Sequence, residues 1–267
     1  MAKKLITLLS FFLNSFAFVS IASITGYVLW QFFGKSYIWS EPVGGDYFNA
    51  LTYQAFFSKY LPNPISGWLP FWNEGTPVIG GYPSLTFYLT HFLTNFFDLE
   101  TALNTFSVIS LVLFFVASLA LFWQASKNWL IATGFILIML VTQASYYQLT
   151  VGGFMTATSA QWYLPVVLFF IYRFRENSKI RYLIASAIFS GTSLIHQGPA
   201  SLLMIVLPSM VVLAFLKVKK SSAQRLSRLI IFALISISIG SIGLYTVFFA
   251  NILRFGNQYL RQCRVLG

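Results

Sequence analysis

The sequence predicts an all-α fold, a polytopic transmembrane helical bundle of seven spans with juxtamembrane helices in its first outer loop. Three observations carry that expectation. Hydrophobic residues make up 57% of the 267-residue chain and charged residues 9%, with a mean hydropathy of +0.74, outside the usual range of a soluble domain of this size. Five long blocks, 5–33, 101–126, 128–172, 182–216 and 229–253, contain no Asp, Glu, Lys or Arg, and blocks of that length read as membrane spans. Charge is also segregated by sign: Glu41, Asp46, Glu74, Asp98 and Glu100 fall in one stretch, and the sixth acid, Glu176, sits among basic residues.

A helix rises about 1.5 Å per residue and the hydrocarbon layer is about 30 Å thick, so one crossing takes roughly 20 residues. The first span is expected at 5–33, where the apolar run after Lys3-Lys4 is too long for a signal-peptide core and lacks a small-residue cleavage site, so it should remain as an anchor. The second is expected at 102–123. Block 128–172 is too long for one helix and splits around Tyr146 to Gly153, giving spans at 128–147 and 154–172. Block 182–216 splits at His196-Gln197-Gly198-Pro199, giving 181–195 and 199–216, and the seventh span is expected at 229–250.

Residues 83–97 pose the hard choice, because they are apolar yet only about 22 Å long as a helix. If they crossed, the cluster Arg173, Arg175, Lys179, Arg181 would lie outside, against the positive-inside tendency. If they stay on the outer surface, Lys3-Lys4, Lys127, that cluster and Lys217 to Arg228 all fall inside. The outer loop 34–100 is therefore expected to carry two juxtamembrane helices, 46–60 and 83–97, with the amino terminus cytoplasmic and the acidic face extracytoplasmic.

That arrangement explains the net charge of +11 through orientation-setting inner loops, and no nucleic-acid partner is expected. The single cysteine, Cys263, excludes an internal disulfide and a cysteine metal cage. Walker loops, dinucleotide fingerprints and Gly-x-Ser-x-Gly elbows are all missing. All acid chemistry must come from the outer loop. Asp46, after Gly44-Gly45, reads either as a helix N-cap or first-turn acid, or as a carboxylate that binds a metal or takes a proton from an acceptor hydroxyl. The Gly/Pro-punctuated run from Trp68 to Pro83 places Trp72 beside Asn73 and Glu74, a set that suits sugar faces and hydroxyls but equally suits an interfacial anchor. His196 stands in an apolar setting at the outer end of the fifth span, either to donate to a lipid-linked phosphate or as a hydrogen-bonded packing residue. His91 reads as interfacial, and neither histidine has a zinc-ligand partner at helical spacing.

In their order, Gly44-Gly45-Asp46, Pro70-Phe71-Trp72-Asn73, Gly80-Gly81-Tyr82-Pro83 before Phe87-Tyr88, Leu164-Pro165 and His196-Gln197-Gly198-Pro199 resemble GT-C type membrane glycosyltransferases. The likeness is closest to a bacterial and archaeal multispan branch, some of whose members carry a description related to 6-pyruvoyl-tetrahydropterin synthase. It covers most of the chain, but each motif is short. It implies transfer of a sugar from a polyprenyl-phosphate carrier to a glycan, lipid or protein acceptor at the outer face of the cell membrane. Under it Asp46 would be the catalytic base or the ligand of a divalent cation (Mg or Mn), and His196 with Gln197 would lie near the lipid phosphate. Arg254 would be a weaker phosphate ligand, otherwise a snorkelling anchor. Glu74 would be a second carboxylate, though it matches the family acid poorly. Relatives often carry an acid after the glycine that opens the fourth span, and Gly152-Gly153-Phe154-Met155-Thr156 has none. Relatives also continue well beyond this length, so the chain is expected to be either a minimal module or the amino-terminal part of a longer protein. The alternatives in other classes are a lipid-carrier transporter or flippase and a non-catalytic membrane scaffold.

Overall fold

The computed structural model describes residues 8–13, 15, 16, 19, 23, 26, 47–60, 68, 69, 76, 77, 84–141, 160–197, 201–215 and 226–241. The fold is all-α. The described residues between 8 and 26 are helical, and eight further helices follow: α1 Tyr47–Tyr60, α2 Ser84–Leu93, α3 Leu99–Ser126, α4 Trp129–Val141, α5 Tyr163–Asn177, α6 Ile180–Gln197, α7 Leu202–Phe215 and α8 Leu226–Ser241. Among the described residues, α3 alone is long and apolar enough to cross a bilayer by itself.

Several boundaries depart from the sequence expectation, each for a physical reason. The helix expected at 83–97 stops at Leu93 after 10 residues, about 15 Å, or half a hydrocarbon layer. Residues 94–97 then turn, with Asn95 Nδ2 donating to the Phe92 carbonyl. Asp98 begins α3, its Oδ1 accepting the Thr101 N–H at 2.8 Å and its Oδ2 the Thr101 hydroxyl at 2.8 Å. Glu100 follows in the first turn, where negative charge complements the helix dipole. Two of the five acids between 41 and 100 thus serve a helix start.

At the other end α3 runs on to Ser126 and α5 to Asn177, past the expected limits of 123 and 172. Both end on a left-handed non-glycine residue, Lys127 at φ 55° and Ser178 at φ 53°, whose N–H closes onto Trp123 and Phe174 carbonyls. His196 and Gln197 belong to the last turn of α6 rather than to the connection after it. α7 opens with a π-turn at Leu202–Val206, in which the Leu207 N–H reaches back to the Leu202 carbonyl. Pro208 supplies the cause: it has no N–H for the Met204 carbonyl, and its ring crowds that turn, so the helix widens before it.

The helices pack with α5 most extensively against α6, and with α3 between α4 and α5. One core joins α5 to α8 through Val167, Ile171, Leu183, Leu194, Ile205, Leu213 and Phe232, and a smaller one joins α1, α3 and α4 through Ala50, Leu103, Leu111, Phe115 and Ile136. Serines share this apolar interior, and aliphatic side chains also face outward. Ser186, Ser190, Ser193, Ser201, Ser209 and Ser236 are buried, while Ile109, Val112, Leu113 and Val116 on α3 and Leu226, Ile230, Leu234 and Ile237 on α8 are exposed at helical spacing.

Small residues let α6 and α8 approach closely and in parallel, as the Ser236 hydroxyl donates to the Ala187 carbonyl. A Cβ on Gly191 would lie 2.7 Å from Ile239 Cβ and 2.8 Å from the Ser236 carbonyl oxygen, neither of which can swing away. Gly191→Ala should therefore lower stability by about 1–3 kcal/mol, read as a lower thermal midpoint in detergent, with Gly134→Ala, which meets nothing within 4 Å, as the control. Asp98 yields a second expectation. The Thr101 N–H and then its hydroxyl hold the Asp98 carboxyl below its usual pKa. Its contribution is therefore present above the ordinary carboxylate pKa and lost as pH falls through the lowered value. Asp98→Asn should flatten that acid limb of the thermal-midpoint profile, and an unchanged acid limb in Asp98→Asn would contradict the assignment.

Candidate functional site

Four helices meet at His196, the last-but-one residue of α6, which is fully buried. Its Nε2 lies 2.7 Å from the Thr86 hydroxyl of α2, and its Nδ1 lies 3.4 Å from the Tyr163 hydroxyl of α5. Phe106 of α3 stacks on the ring at 6.4 Å between centroids, and Tyr163 meets it edge-on at 5.5 Å. In a neutral imidazole one nitrogen donates and the other accepts, and hydroxyls can take either part, so the chain Thr86–His196–Tyr163 is satisfiable in both tautomers. The 2.7 Å contact is the strong one; at 3.4 Å the Tyr163 bond is at the weak limit.

Thr86 is placed by the short α2, which is itself fastened to α1. Gln54 Nε2 donates to the Phe87 carbonyl at 3.1 Å, and the Ser58 hydroxyl lies 3.0 Å from His91 Nδ1. Both pairs are separated by 33 residues, so α1 and α2 run parallel and in register. Tyr53 and Phe57 close the apolar side of the pair against Phe87, with centroids 4.9 and 5.8 Å away. By that register Thr86 stands level with Tyr53 in the middle of α1, and the amino-terminal half of α1 extends beyond it on the side away from His91. Around this junction several buried acceptors find no hydrogen-bond partner among the described residues: Gln54 Oε1 on α1, Thr90 Oγ1 on α2 and Asn104 Oδ1 on α3. Each such group costs about 1–3 kcal/mol unless water or a ligand hydroxyl relieves it.

Asp46, Trp72, Asn73, Glu74 and Arg254 lie outside the described residues, as does the side chain of Gln197. A two-residue antiparallel pairing, β1 Trp68–Leu69 with β2 Thr76–Pro77, registers Trp68 with Pro77 and Leu69 with Thr76. Residues 70–75, which include Trp72, Asn73 and Glu74, connect these two strands. His196 turns its ring nitrogens to Thr86 and Tyr163, the arrangement of the packing alternative. The divalent cation considered at Asp46 would want several hard oxygen ligands. Among the described residues no three His, Cys, Asp or Glu converge, and Gln54 and Asn104 offer only neutral oxygens at this end, so the described donor set does not by itself assemble that site.

Thr86, Tyr163, Gln54 and Asn104 were not legible as members of a site. Only their neighbourhood shows it, because Thr86 and His196 are 110 residues apart. No protein-family model matches the chain, and no curated protein sequence matches it either.

A double-mutant cycle tests the junction. Thr86→Val with His196→Ala should show a coupling of about 0.5–2 kcal/mol in unfolding free energy, and Tyr163→Phe with His196→Ala a smaller one. Equal couplings would contradict the assignment of Thr86 as the principal partner.

Proposed function

We propose that the chain is a multi-pass membrane glycosyltransferase module of the GT-C type, acting at the outer face of the cell membrane on a sugar carried by a polyprenyl phosphate. The observation that carries this reading is the gathering of buried, partly unanswered polar groups at one end of a bundle whose sides are apolar. The exposed Ile, Leu, Val and Phe stripes suit a bilayer, and the seven crossings expected from sequence belong to the same proposal. α2, at about 15 Å, suits a helix lying at the interface better than one that crosses. Asp98 and Glu100 stand at the His196 end of α3, whereas Lys127 stands at its opposite end, a separation that agrees with an acidic outer and basic inner face.

In the proposed reaction an acceptor hydroxyl oxygen attacks the anomeric carbon, the bond from that carbon to the phosphate oxygen breaks, and the lipid phosphate leaves. The hydroxyl proton passes to Asp46 as general base. Gln54 and Asn104 carry buried acceptor oxygens without a partner among the described residues, which the hydroxyls of a sugar entering beside α1 would answer. His196 acts as a positioning residue: through Thr86 it fixes α2, and through α2 the partner helix α1 that follows Asp46. Trp72, Asn73 and Glu74 are proposed to contact the sugar, and Gln197 and Arg254 the lipid phosphate.

A flippase reading draws on the buried serines, since Ser190 and Ser209 have unpartnered hydroxyls inside the bundle. The described helices hold no buried charge among those serines, which favours the transferase. The test is transfer by reconstituted protein from a polyprenyl-phosphate sugar to an acceptor. Asp46→Asn should lower the rate by about 10²–10⁴-fold, the usual contribution of a general base, with the thermal midpoint unchanged. Thr86→Val should raise KM for acceptor more than it lowers kcat. Full transfer by Asp46→Asn, or leaflet exchange of the labelled lipid without transfer, would overturn the proposal.

A further inference from the structure

The end of the bundle opposite His196 carries a charge pattern that the transferase reading does not use. From residue 101 onward the sequence contains one acid, Glu176. Lys127 Nζ lies 2.9 Å from Glu176 Oε1, and the almost fully buried Gln124 donates to Oε2. That carboxylate is therefore already engaged, and Lys127 also caps the Trp123 ring at 5.6 Å. Arg173, Arg175, Lys179, Arg181 and Arg228 remain at the same end. Asp98 and Glu100 lie at the far end of the 28-residue α3, roughly 40 Å away.

Two of these cations converge. The Arg181 guanidinium carbon is 5.0 Å from the Tyr182 ring centroid and Arg173 is 5.6 Å from the same centroid, while Arg181 Nη2 donates to the Tyr182 hydroxyl at 3.3 Å. Arg173 Nη1 donates to Gln124 Oε1 at 3.4 Å, which fixes its direction, and Glu176, ion-paired to Lys127, also attracts it through space, so the cations at this end still outnumber the one carboxylate. Arg228 of α8 lies 5.0 Å from the ring of Phe174, the next residue of α5. Like charges held together on aromatic faces call for an anion, and planar guanidinium forks fit the oxygens of a phosphate.

We propose that Arg173 and Arg181 bind the phosphate of an anionic phospholipid headgroup, with Arg228 adding positive charge at the same end of the bundle. The choice of a lipid over a free phosphate comes from the surface that continues from the cations. Ile180, Ile184 and Ile188 run exposed along α6, and Ile230, Leu234 and Ile237 along α8, an apolar track for acyl chains leading away from the headgroup. The inference rests on the membrane placement proposed above, not on the transferase chemistry.

The test uses the full chain in nanodiscs of phosphatidylcholine alone or with added phosphatidylglycerol. It reads the difference in thermal midpoint between the two discs and the lipid retained in native mass spectra. Phosphatidylglycerol should be enriched on the protein by roughly fivefold per guanidinium, and the midpoint should rise by several degrees in the anionic discs. Arg173→Gln with Arg181→Gln should abolish both effects; any loss of intrinsic stability is common to the two discs and cancels. Arg173→Lys with Arg181→Lys keeps charge but loses the fork and should retain only part of the enrichment, which still reads the proposal if the glutamine pair fails to fold. Equal midpoints for the unmodified protein, undiminished enrichment in the glutamine pair, or a midpoint rise produced by inorganic phosphate in phosphatidylcholine discs would overturn it. Release of the chain from membranes by alkaline carbonate would instead remove the membrane placement itself, whereas an integrated chain without lipid preference removes this inference alone.

Discussion

The contact between the His196 imidazole and the Thr86 hydroxyl is the constraint on which the remaining arrangement depends. α2 is too short to hold itself by helix propensity, since isolated helices of ten residues are marginal in water and gain stability chiefly from tertiary contacts. Its Phe87 side chain and carbonyl are taken by α1, and its Thr86 by α6 and, through the imidazole, by α5 and α3. Loosening that polar contact leaves the α1–α2 pair to its apolar packing on α3, where Ala50 joins the cluster of Leu103 and Leu111. The same pair sets Gln54, one of the buried acceptors without a partner among the described residues, against the Phe87 carbonyl.

The bundle beneath mixes serines into an apolar core and carries aliphatic side chains outside as well, and the serines have a local logic. A serine hydroxyl can bond to a carbonyl of its own or a neighbouring helix, as Ser186 does to Val167 and Ser201 to Ser193. It therefore enters a helix interface at small volume with its hydroxyl bonded, whereas Ser110, Ser190 and Ser209 keep hydroxyls without a partner among the described residues. Glycine at 191 and 240 takes the same principle further, allowing α6 and α8 to touch backbone against side chain. The polar ends are built differently. At the His196 end the groups are mostly neutral and buried; at the other end cations sit over Trp123, Tyr172, Phe174 and Tyr182, half in and half out of the apolar surface.

Much of the helical order was legible in the sequence, because the absence of charge over long blocks is a one-dimensional signal. His196 stood out for the same reason, as an ionisable group in an apolar setting. The expected spans end near 123 and 172, where charge returns, whereas the helices α3 and α5 run on to Ser126 and Asn177. In fact Arg173 and Arg175 continue the last turns of α5 with their side chains over aromatic rings, and the true stops at Lys127 and Ser178 use left-handed residues that carry no glycine signal. The Asp98-Leu99-Glu100-Thr101 start of α3 had a readable capping pattern. Thr86 and Tyr163 had none, since a partner set by tertiary packing leaves no mark at fixed spacing. The π-turn of α7 was foreshadowed only by Pro208, six residues after Leu202.

The proposed reading stands or falls on sidedness: the His196 end must face outward and the arginine end inward. Asn95, beside the carboxy-terminal end of α2, and Asn177, at the end of α5, are both exposed and mark the two ends. With Cys263 replaced by Ser, single Asn95→Cys and Asn177→Cys variants can be treated with a membrane-impermeant maleimide in sealed, right-side-out vesicles. The account predicts labelling of Asn95→Cys without permeabilisation and of Asn177→Cys only after it. Labelling of both from outside, or of Asn177→Cys alone, would contradict it.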